Sequence, residues 1–258
     1  MDQGQKINPA AAKGFGNAVD SYERGRPEYP AEALEHFISF LGIGPQSHVL
    51  DLGAGTGKFT RLLVPTMATL AAVEPVEAMR KKFASILPDI QILSGTAESI
   101  PAVNSSFDVV VVAQAFHWFE GDSTLKEIHR VLKSNGNLGL IWNVRDESFD
   151  WVLELTKILN NHSASVPRYG TNEWKKVFYR NPAFTQLEKR SFSHKQKGTI
   201  ETVIDLVQSR SYIGALHNED REIVLHQVRE LLERHPKTKG KDEIEIPYRT
   251  DVYWCIKK

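Results

Sequence analysis

The stretch VLDLGAGTGKFTRLLV, residues 49–64, joins two apolar runs through a loop with three glycines in five positions. The run before the loop is typical of a buried strand, and the run after it is typical of a short helix, which Pro65 ends. Glycines at this density let the backbone approach a ligand closely. The stretch therefore predicts a ligand-binding turn between a strand and a helix.

The same alternation continues to about residue 145. Strand-like runs such as TLAAVE, IQILSG, FDVVVVAQ and NLGLIWN alternate with helical patterns such as PVEAMRKKFASIL and DSTLKEIHRVLK. Unbroken Val, Leu and Ile runs are typical of parallel strands that are covered on both faces. We therefore predict a single α/β domain over residues 1–258, built on a doubly wound, mostly parallel, Rossmann-like sheet with a cofactor-binding core at 45–145.

The pattern changes after residue 145. FTQLEKRSFS and the final DVYWCIKK are strand-like, and two amphipathic helical patterns lie between them. This order predicts a helical cap at 197–241, inserted before the last strand. Residues 1–30 are polar and loop-like, and we predict that they form an N-terminal lid over the ligand.

Composition limits the classes of partner. Lys and Arg total 32, as do Asp and Glu, so the net charge is zero, which argues against nucleic acid as a partner. The one cysteine, Cys255, excludes an internal disulfide and a cysteine-cluster metal site, and no HxH or HxxxH pattern predicts another metal. The longest apolar run is short, and the N-terminus has no apolar signal segment. We expect a soluble, cytoplasmic protein without a membrane partner; its oligomeric state is open.

The glycine loop departs from two phosphate-binding patterns. A P-loop requires a glycine five positions before Gly57, where Leu52 stands. The dinucleotide pattern fits Gly53 and Gly55, but its third glycine position holds Lys58. Neither pattern is complete, so a phosphate-bearing ligand is not predicted.

Two carboxylates near the loop indicate a different ligand. Asp51 lies two residues before the first glycine and would repel a pyrophosphate, so the ligand is expected to lack phosphate and to carry positive charge. Glu74 ends the second strand, where a doubly wound fold places the acidic residue that accepts from ribose hydroxyls. The alternative for Glu74 is a solvated charge at a strand end. A nucleoside with a ribose, a cation and no phosphate describes S-adenosylmethionine.

The ordered motifs resemble those of class I S-adenosylmethionine-dependent methyltransferases. VLDLGAGTGKFT resembles their first motif, AVEPVEAMR the second, GTAESIP the adenine-side segment, FDVVVVAQAFHWF the fourth-strand motif and IHRVLKSNGNLGLI the fifth-strand region. The resemblance covers roughly residues 45–143. AQAFHWF and YERGRPEYP are more similar to the methyltransferase type 11 group, which includes ubiquinone-biosynthesis C-methyltransferases and trans-aconitate O-methyltransferase-like enzymes.

The resemblance implies roles at the methionine and ribose parts of the cofactor. Gly53, Gly55 and Gly57 would let the backbone pass under the methionine half. Asp51 would lie near the amino group of the cofactor, and Glu74 would hold the ribose hydroxyls.

The resemblance also implies contacts with the adenine. Pro75 and Met79 would pack near it, while Ala97 and Glu98 would meet its edge through a backbone N–H and a carboxylate. Gln114 would offer its backbone carbonyl to the amino group of the methionine half. Simple packing is the alternative for Met79 and Ala97, and a charge in the first turn of a helix is the alternative for Glu98.

The acceptor side is predicted from three segments. His117 follows the fourth strand beside Trp118 and is either a general base or part of the pocket wall. By resemblance, Tyr22 and Arg26 of the lid lie near the cofactor or the acceptor; the alternative is a surface turn. The cap contributes Arg210 and Tyr212 as acceptor contacts, unless they only end an amphipathic helix; Trp142, Asn143 and Arg145 after the fifth strand are further candidates.

These features predict a methyltransferase that acts on a small-molecule acceptor. The expected chemistry is O-methylation, with a carboxylate held by arginines as the acceptor, because such a group needs no base. C- or S-methylation is the alternative within the family. A catalytically silent cofactor-binding subunit and an NAD-dependent oxidoreductase are the alternatives outside it.

Overall fold

The computed structural model describes residues 23, 25–162 and 167–258. Most of the predicted lid, with Tyr22, lies outside these residues. The strands are β1 (His48–Leu52), β2 (Thr69–Val73), β3 (Gln91–Leu93), β4 (Phe107–Ala113), β5 (Leu132–Arg145), β6 (Glu188–Gly198) and β7 (Ile244–Ile256). The helices are α1 (Ala31–Leu41), α2 (Thr60–Leu63), α3 (Glu77–Ile86), α4 (Gly121–Val131), α5 (Asp150–Asn160), α6 (Lys176–Tyr179), α7 (Ile200–Gln208), α8 (Ser211–Gly214) and α9 (Asn218–Arg234).

The strands form one sheet in the order β3-β2-β1-β4-β5-β7-β6. Strands β1 to β5 pair in parallel, and β7 runs antiparallel to both of its neighbours. The strand order reverses between β1 and β4, and ligands of open α/β sheets bind beyond the carboxyl ends of the strands at such a point. The predicted doubly wound, mostly parallel sheet is therefore confirmed, and its switch point follows the glycine loop.

Strand β4 shows why an unbroken apolar run is needed here. Val110 and Val112 pack in the core cluster that includes α4, whereas Val109 and Val111 pack in the cluster that includes α1. Successive side chains of a strand point to opposite faces, so a strand covered by helices on both faces must be apolar at every position.

The predicted cap corresponds to α7, α8 and α9, which lie between the paired strands β6 and β7. These helices share their buried cluster with α5, which the sequence had placed outside the cap. Strand β6 begins at Glu188 and continues to Gly198, so the segment predicted as a strand from 184 is shifted toward the carboxyl end. Within the described ranges, no helix combines the length and the apolar character needed to cross a bilayer.

Candidate active site

The glycine loop follows β1 at the switch point, and its glycines adopt left-handed backbone conformations. The φ angles of Gly53, Gly55 and Gly57 are 74°, 58° and 84°. A Cβ atom on Gly57 would lie 2.8 Å from the ring of Phe83, which is closer than side-chain packing allows. The loop thus needs glycine at position 57 both for its conformation and for its packing against α3.

Asp51 is buried directly under this loop, with 1% of its surface exposed. Thr60 Oγ1 donates to its Oδ2 at 2.6 Å, but Oδ1 has no hydrogen-bond partner in the described part of the chain. Burial raises the pKa of Asp51 to about 7, and the nearby Glu74 adds to the rise, while the Thr60 hydrogen bond opposes it. A buried oxygen without a donor is costly, and the cationic amino group of the predicted cofactor would satisfy it.

Glu74 is also buried and is oriented by backbone N–H groups. Its Oε2 accepts from the N–H of Gly55 at 2.9 Å, and its Oε1 accepts from the N–H of Val76 at 2.8 Å. Burial raises the pKa of this carboxyl group, whereas the two backbone hydrogen bonds and Arg80 lower it. Each carboxylate oxygen can accept a second hydrogen bond, so the fixed carboxylate fits a pair of ribose hydroxyls.

The residues predicted at the adenine lie near the loop, in mixed environments. Met79 and Ala97 are buried and Pro75 is partly buried, so packing and adenine contact both remain open for them. Glu98 is half-buried, and its carboxylate accepts from the N–H of Glu120, the residue that caps α4, at 2.9 Å. The carboxylate thus stabilises the start of a neighbouring helix, and its contact with adenine stays a prediction.

The end of β4 carries the next two predicted residues. Gln114 has a left-handed backbone with a φ of 62°, and its N–H donates to the carbonyl of Ile141 at 2.9 Å. Ala115 lies against the glycine loop, since a Cβ atom on Gly53 would be 3.0 Å from its Cβ. The loop that carries His117 is thereby placed next to the predicted methionine half of the cofactor.

His117 is held by the indole of Trp142. The Nε1–H of Trp142 donates to Nδ1 of His117 at 3.2 Å. An indole nitrogen only donates, so Nδ1 accepts and the proton of the neutral imidazole lies on Nε2. Burial lowers the pKa of His117 to about 3, with further lowering by Arg26 and Arg210. In this arrangement His117 is a neutral hydrogen-bond donor and has no free lone pair with which to act as a base.

A cavity of about 870 Å³ opens beside His117, and it is rich in cations. The cationic residues that line it are Arg26, Arg145, Arg168, Lys175, Lys189, Arg210 and Arg249. The carboxylates of its lining are Asp146 and Glu147. Gln114, Trp118 and Tyr212 also line the cavity, so the structure brings the predicted residues of the lid, the β4 end and the cap to one place.

The described part of the lid runs between the glycine loop and the cap. The Glu23 carboxylate accepts from the hydroxyl of Thr56 and pairs with Arg61 at 2.7 Å. Arg26 Nη2 donates to the carbonyl of Ser209 at 3.1 Å, next to Arg210. Gly25 packs so closely against α7 that a Cβ atom there would lie 2.4 Å from the backbone of Asp205. These contacts are consistent with a lid, whose function stays a prediction.

Sequence reasoning missed several polar residues of the cavity region. Asp251 is fully buried within β7 and accepts from Ser191 at 2.6 Å, from Arg249 at 2.9 Å and from the hydroxyl of Tyr169. Lys189 pairs with the same carboxylate at 3.0 Å. The available signal was an acidic residue directly before the apolar run VYWCI of the final strand. Such a residue is almost always paired when buried, but the sequence does not name its partners.

Comparisons with known proteins identify the family of the chain. The family model described as a methyltransferase domain matches residues 50–140. An uncharacterized methyltransferase of Mycobacterium bovis is 39% identical over 236 residues, which cover 92% of each chain. The chain belongs to this methyltransferase family. An uncharacterized methyltransferase-like protein of Schizosaccharomyces pombe is 35% identical over 246 residues. The match covers 93% of the present chain and 94% of the Schizosaccharomyces pombe protein.

Solved structures show the same fold at lower identity. The YcgJ protein of Bacillus subtilis superposes with a TM-score of 0.58 at 21% identity. The match covers 89% of the present chain and 99% of the YcgJ chain. A phosphoethanolamine N-methyltransferase of Haemonchus contortus, solved with S-adenosylhomocysteine, has a TM-score of 0.58 at 12% identity, and the match covers 100% of the methyltransferase and 61% of that chain.

The cofactor of the methyltransferase is S-adenosylmethionine, as its family uses. The unpartnered Oδ1 of Asp51 and the oriented carboxylate of Glu74 fit its amino group and its ribose. Among the described residues, no group of three or more His, Cys, Asp or Glu side chains could hold a metal ion. The expectation that no metal takes part stays a prediction.

Proposed function

We propose that the methyltransferase moves the methyl group of S-adenosylmethionine to a carboxylate oxygen of a small acidic molecule. The observation that carries the proposal is the lining of the cavity, which has seven cationic side chains and two carboxylates in a protein of zero net charge. Two of these cations, Lys189 and Arg249, pair with the buried Asp251, so five cationic side chains still exceed the two lining carboxylates. A volume of about 870 Å³ is that of a small-molecule site. Since these charges line a cavity, a small anion suits them better than a nucleic acid or a membrane surface.

The roles of the residues follow from their positions. When bound, the cofactor supplies a methyl group that its sulfonium has already activated. Asp51 and Glu74 would hold its amino group and ribose, which orients the methyl group toward the cavity. Positioning and exclusion of water can contribute roughly 7–11 kcal/mol to such a transfer.

The acceptor end would use His117, Arg26 and Arg210. The two guanidinium groups lie close enough to His117 to lower its pKa, so all three face the same part of the cavity. Guanidinium groups bind carboxylates in a planar, two-point geometry, and the Nε2–H of His117 would donate to the same group. An ionised carboxylate is already a nucleophile, which suits a histidine that has no free lone pair.

A metabolite extract incubated with methyl-labelled cofactor tests the proposal. We expect a labelled small molecule whose label is released by mild alkali, since methyl esters hydrolyse under these conditions. A label that resists alkali would show C- or S-methylation and would overturn the ester assignment. No transfer to any molecule, by protein that still binds S-adenosylhomocysteine, would instead indicate a catalytically silent binding subunit.

Arginine variants locate the acceptor once it is identified. Arg26→Ala and Arg210→Ala should raise its KM at least tenfold, because each removes a charge-assisted hydrogen bond of about 1.5–3 kcal/mol. Their affinity for S-adenosylhomocysteine should stay unchanged. Arg234→Ala is the matched control, since Arg234 lies on an exposed part of α9 and pairs there with Glu154 of α5. An unchanged KM in both cavity variants would contradict the proposed acceptor site.

A further inference from the structure

Three buried polar groups in one part of the cavity region have no partner. Nη1 of Arg145, Nε of Arg210 and the hydroxyl of Tyr248 make no hydrogen bond within the described residues. Arg145 and Tyr248 are directly opposite each other in the pairing of β5 with β7, and Arg210 precedes α8. Tyr248 is 2% exposed, and its ring stacks on His194 at 5.6 Å, so the hydroxyl is held in place.

Among the described residues, no carboxylate lies within salt-bridge distance of these two arginines, although the charge of Glu147 raises the pKa of Arg145. The Nε and Nη2 of Arg145 donate to the neutral hydroxyl of Thr156 at 3.3 and 3.1 Å. Neither Arg145 nor Arg210 forms a salt bridge with any carboxylate of the described ranges. Burial, and then the charge of Arg210, lower the pKa of Arg145 to about 10, so the Arg145 side chain remains cationic at neutral pH. Buried cations without a counterion are costly, and a bound anion would remove that cost.

The position of this group separates it from the methyl group. The cofactor crevice lies between β1 and β4, whereas Arg145 ends β5 and Tyr248 lies on β7, the next strand of the sheet. Neighbouring strands are about 4.8 Å apart, so β5 lies roughly 7 Å and β7 roughly 12 Å from the middle of the crevice. An anion held between Arg145 and Tyr248 is therefore too far from the crevice to be the group that is methylated.

We propose that Arg145 and Tyr248 form an anion subsite that anchors a second, non-reacting acidic group of the acceptor, with Arg210 shared between this subsite and the group that is methylated. The acceptor is then a small molecule with a carboxylate or a phosphate several bonds away from the methylated oxygen. This inference rests on the proposed function for the identity of the bound molecule. The guanidinium group of Arg145 would bind the anion, and the Tyr248 hydroxyl would donate a further hydrogen bond.

Calorimetric titration with butyrate and with inorganic phosphate, at constant ionic strength and with S-adenosylhomocysteine present, tests the subsite. We expect saturable binding of at least one anion. The affinity should fall about tenfold or more in Arg145→Met, which loses a charged donor, and about fivefold in Tyr248→Phe, which loses a neutral one. Arg234→Met is the matched control and should bind as the unaltered protein does. The preferred probe distinguishes a carboxylate anchor from a phosphate anchor.

Two results would overturn the subsite. One is that neither anion binds the unaltered protein saturably, and the other is that Arg145→Met binds both anions with unchanged affinity. Retained binding of S-adenosylhomocysteine shows that each variant is folded, and Tyr248→Phe preserves the ring if Arg145→Met does not fold.

Thermal unfolding gives an independent readout. Without added anion, Arg145→Met should raise the Tm by about 2–4 °C, because it replaces a buried unpaired charge with an apolar side chain of similar length. With saturating anion, the unaltered protein should have a higher Tm than Arg145→Met. A lower Tm without anion, together with unchanged anion affinity, would show that Arg145 is only structural.

The subsite and the proposed function fail in different ways. If a labelled ester forms but Arg145→Met binds anions normally, the subsite is wrong and the function stands. If anion binding depends on Arg145 but no acidic molecule accepts a methyl group, the subsite stands and the proposed reaction is wrong.

Discussion

The cofactor end and the proposed acceptor cavity of the methyltransferase are opposite in charge and in how they are built. The cofactor end places two buried carboxylates, Asp51 and Glu74, around a glycine loop within 24 residues of sequence. The acceptor cavity gathers cations from the lid, the end of β5, β6, the cap and β7. The difference separates the two ligands: carboxylates suit a cofactor that carries a cationic amino group, and guanidinium groups suit an acidic acceptor.

The two ends also depend on different features of the chain. The glycine loop works through backbone conformation, so its residues must be neighbours in sequence. The cavity works through long side chains that reach a common space, so its residues can come from any element that borders it. Substitutions at the cofactor end should therefore disturb the fold or the cofactor, whereas substitutions in the cavity should disturb the acceptor.

The largest effect is expected at the loop itself. Gly57→Ala should lower the free energy of unfolding by about 3 kcal/mol, since it combines a left-handed φ with a clash against Phe83. Gly42→Ala is the matched control, because Gly42 has a φ of 66° but open space around it, and its loss should be about 1 kcal/mol. Guanidinium unfolding measures both values. Equal losses would show that packing of the loop against α3 contributes nothing.

Glu74→Ala should weaken S-adenosylmethionine binding by roughly 1.5–3 kcal/mol, since it removes hydrogen bonds to a charged acceptor. Glu77→Ala is the control, because the exposed Glu77 pairs with Lys81 one turn along α3. Calorimetry compares the two variants. If a folded Glu74→Ala protein keeps full cofactor affinity, Glu74 is only a charge at a strand end and the cofactor end is misassigned.

Asp51 should make cofactor binding depend on pH. Its pKa of about 7 lies above the usual 3.8, so the carboxyl group is largely protonated at pH 6 and ionised at pH 8. Only the ionised form pairs with an ammonium group, and we expect cofactor affinity to rise by up to about tenfold from pH 6 to pH 8. Calorimetry at a series of pH values measures the slope, which should disappear in Asp51→Asn.

The same raised pKa of Asp51 predicts how the free energy of unfolding of the cofactor-free protein depends on pH. In the unfolded chain Asp51 ionises near its usual pKa, whereas in the folded protein it stays protonated up to about 7. Its contribution to stability is therefore lost as the pH rises from about 4 to about 7. Asp51→Asn should flatten the stability profile in this window, and a profile that is unchanged by the substitution would show that the pKa is not raised.

His117 is expected to give the smallest effect. With a lowered pKa of about 3 and its Nδ1 bound to Trp142, it should add no ionisation to the pH dependence of kcat/KM between pH 5 and 8. Nitrogen NMR of ¹⁵N-histidine-labelled protein should show the proton on Nε2 throughout this range. A basic limb that His117→Ala abolishes would make His117 a base and the acceptor a hydroxyl, thiol or carbon acid.

The sequence predicted the parts of the fold that follow a local rule. The strand and helix alternation up to residue 145 and the parallel sheet are confirmed, because a strand covered on both faces needs an unbroken apolar run such as that of β4. Strand β6 was misplaced, since its second half, HKQKG, has no apolar pattern. It is an edge strand, and its pairing with β7 decides its extent.

The candidate site also has a part that follows from local sequence and a part that depends on tertiary contacts. By itself, the sequence determined the fold, the family and the cofactor, because the glycines, Asp51 and Glu74 are close together along the chain and their spacing is set by one strand-turn-helix unit. Only the tertiary structure decided that Arg145 lies opposite Tyr248, that Trp142 fixes the proton of His117, and that α5 packs with the cap. These contacts join residues that are far apart in sequence, and no local pattern encodes which side chains meet when β5, β7 and the cap pack together.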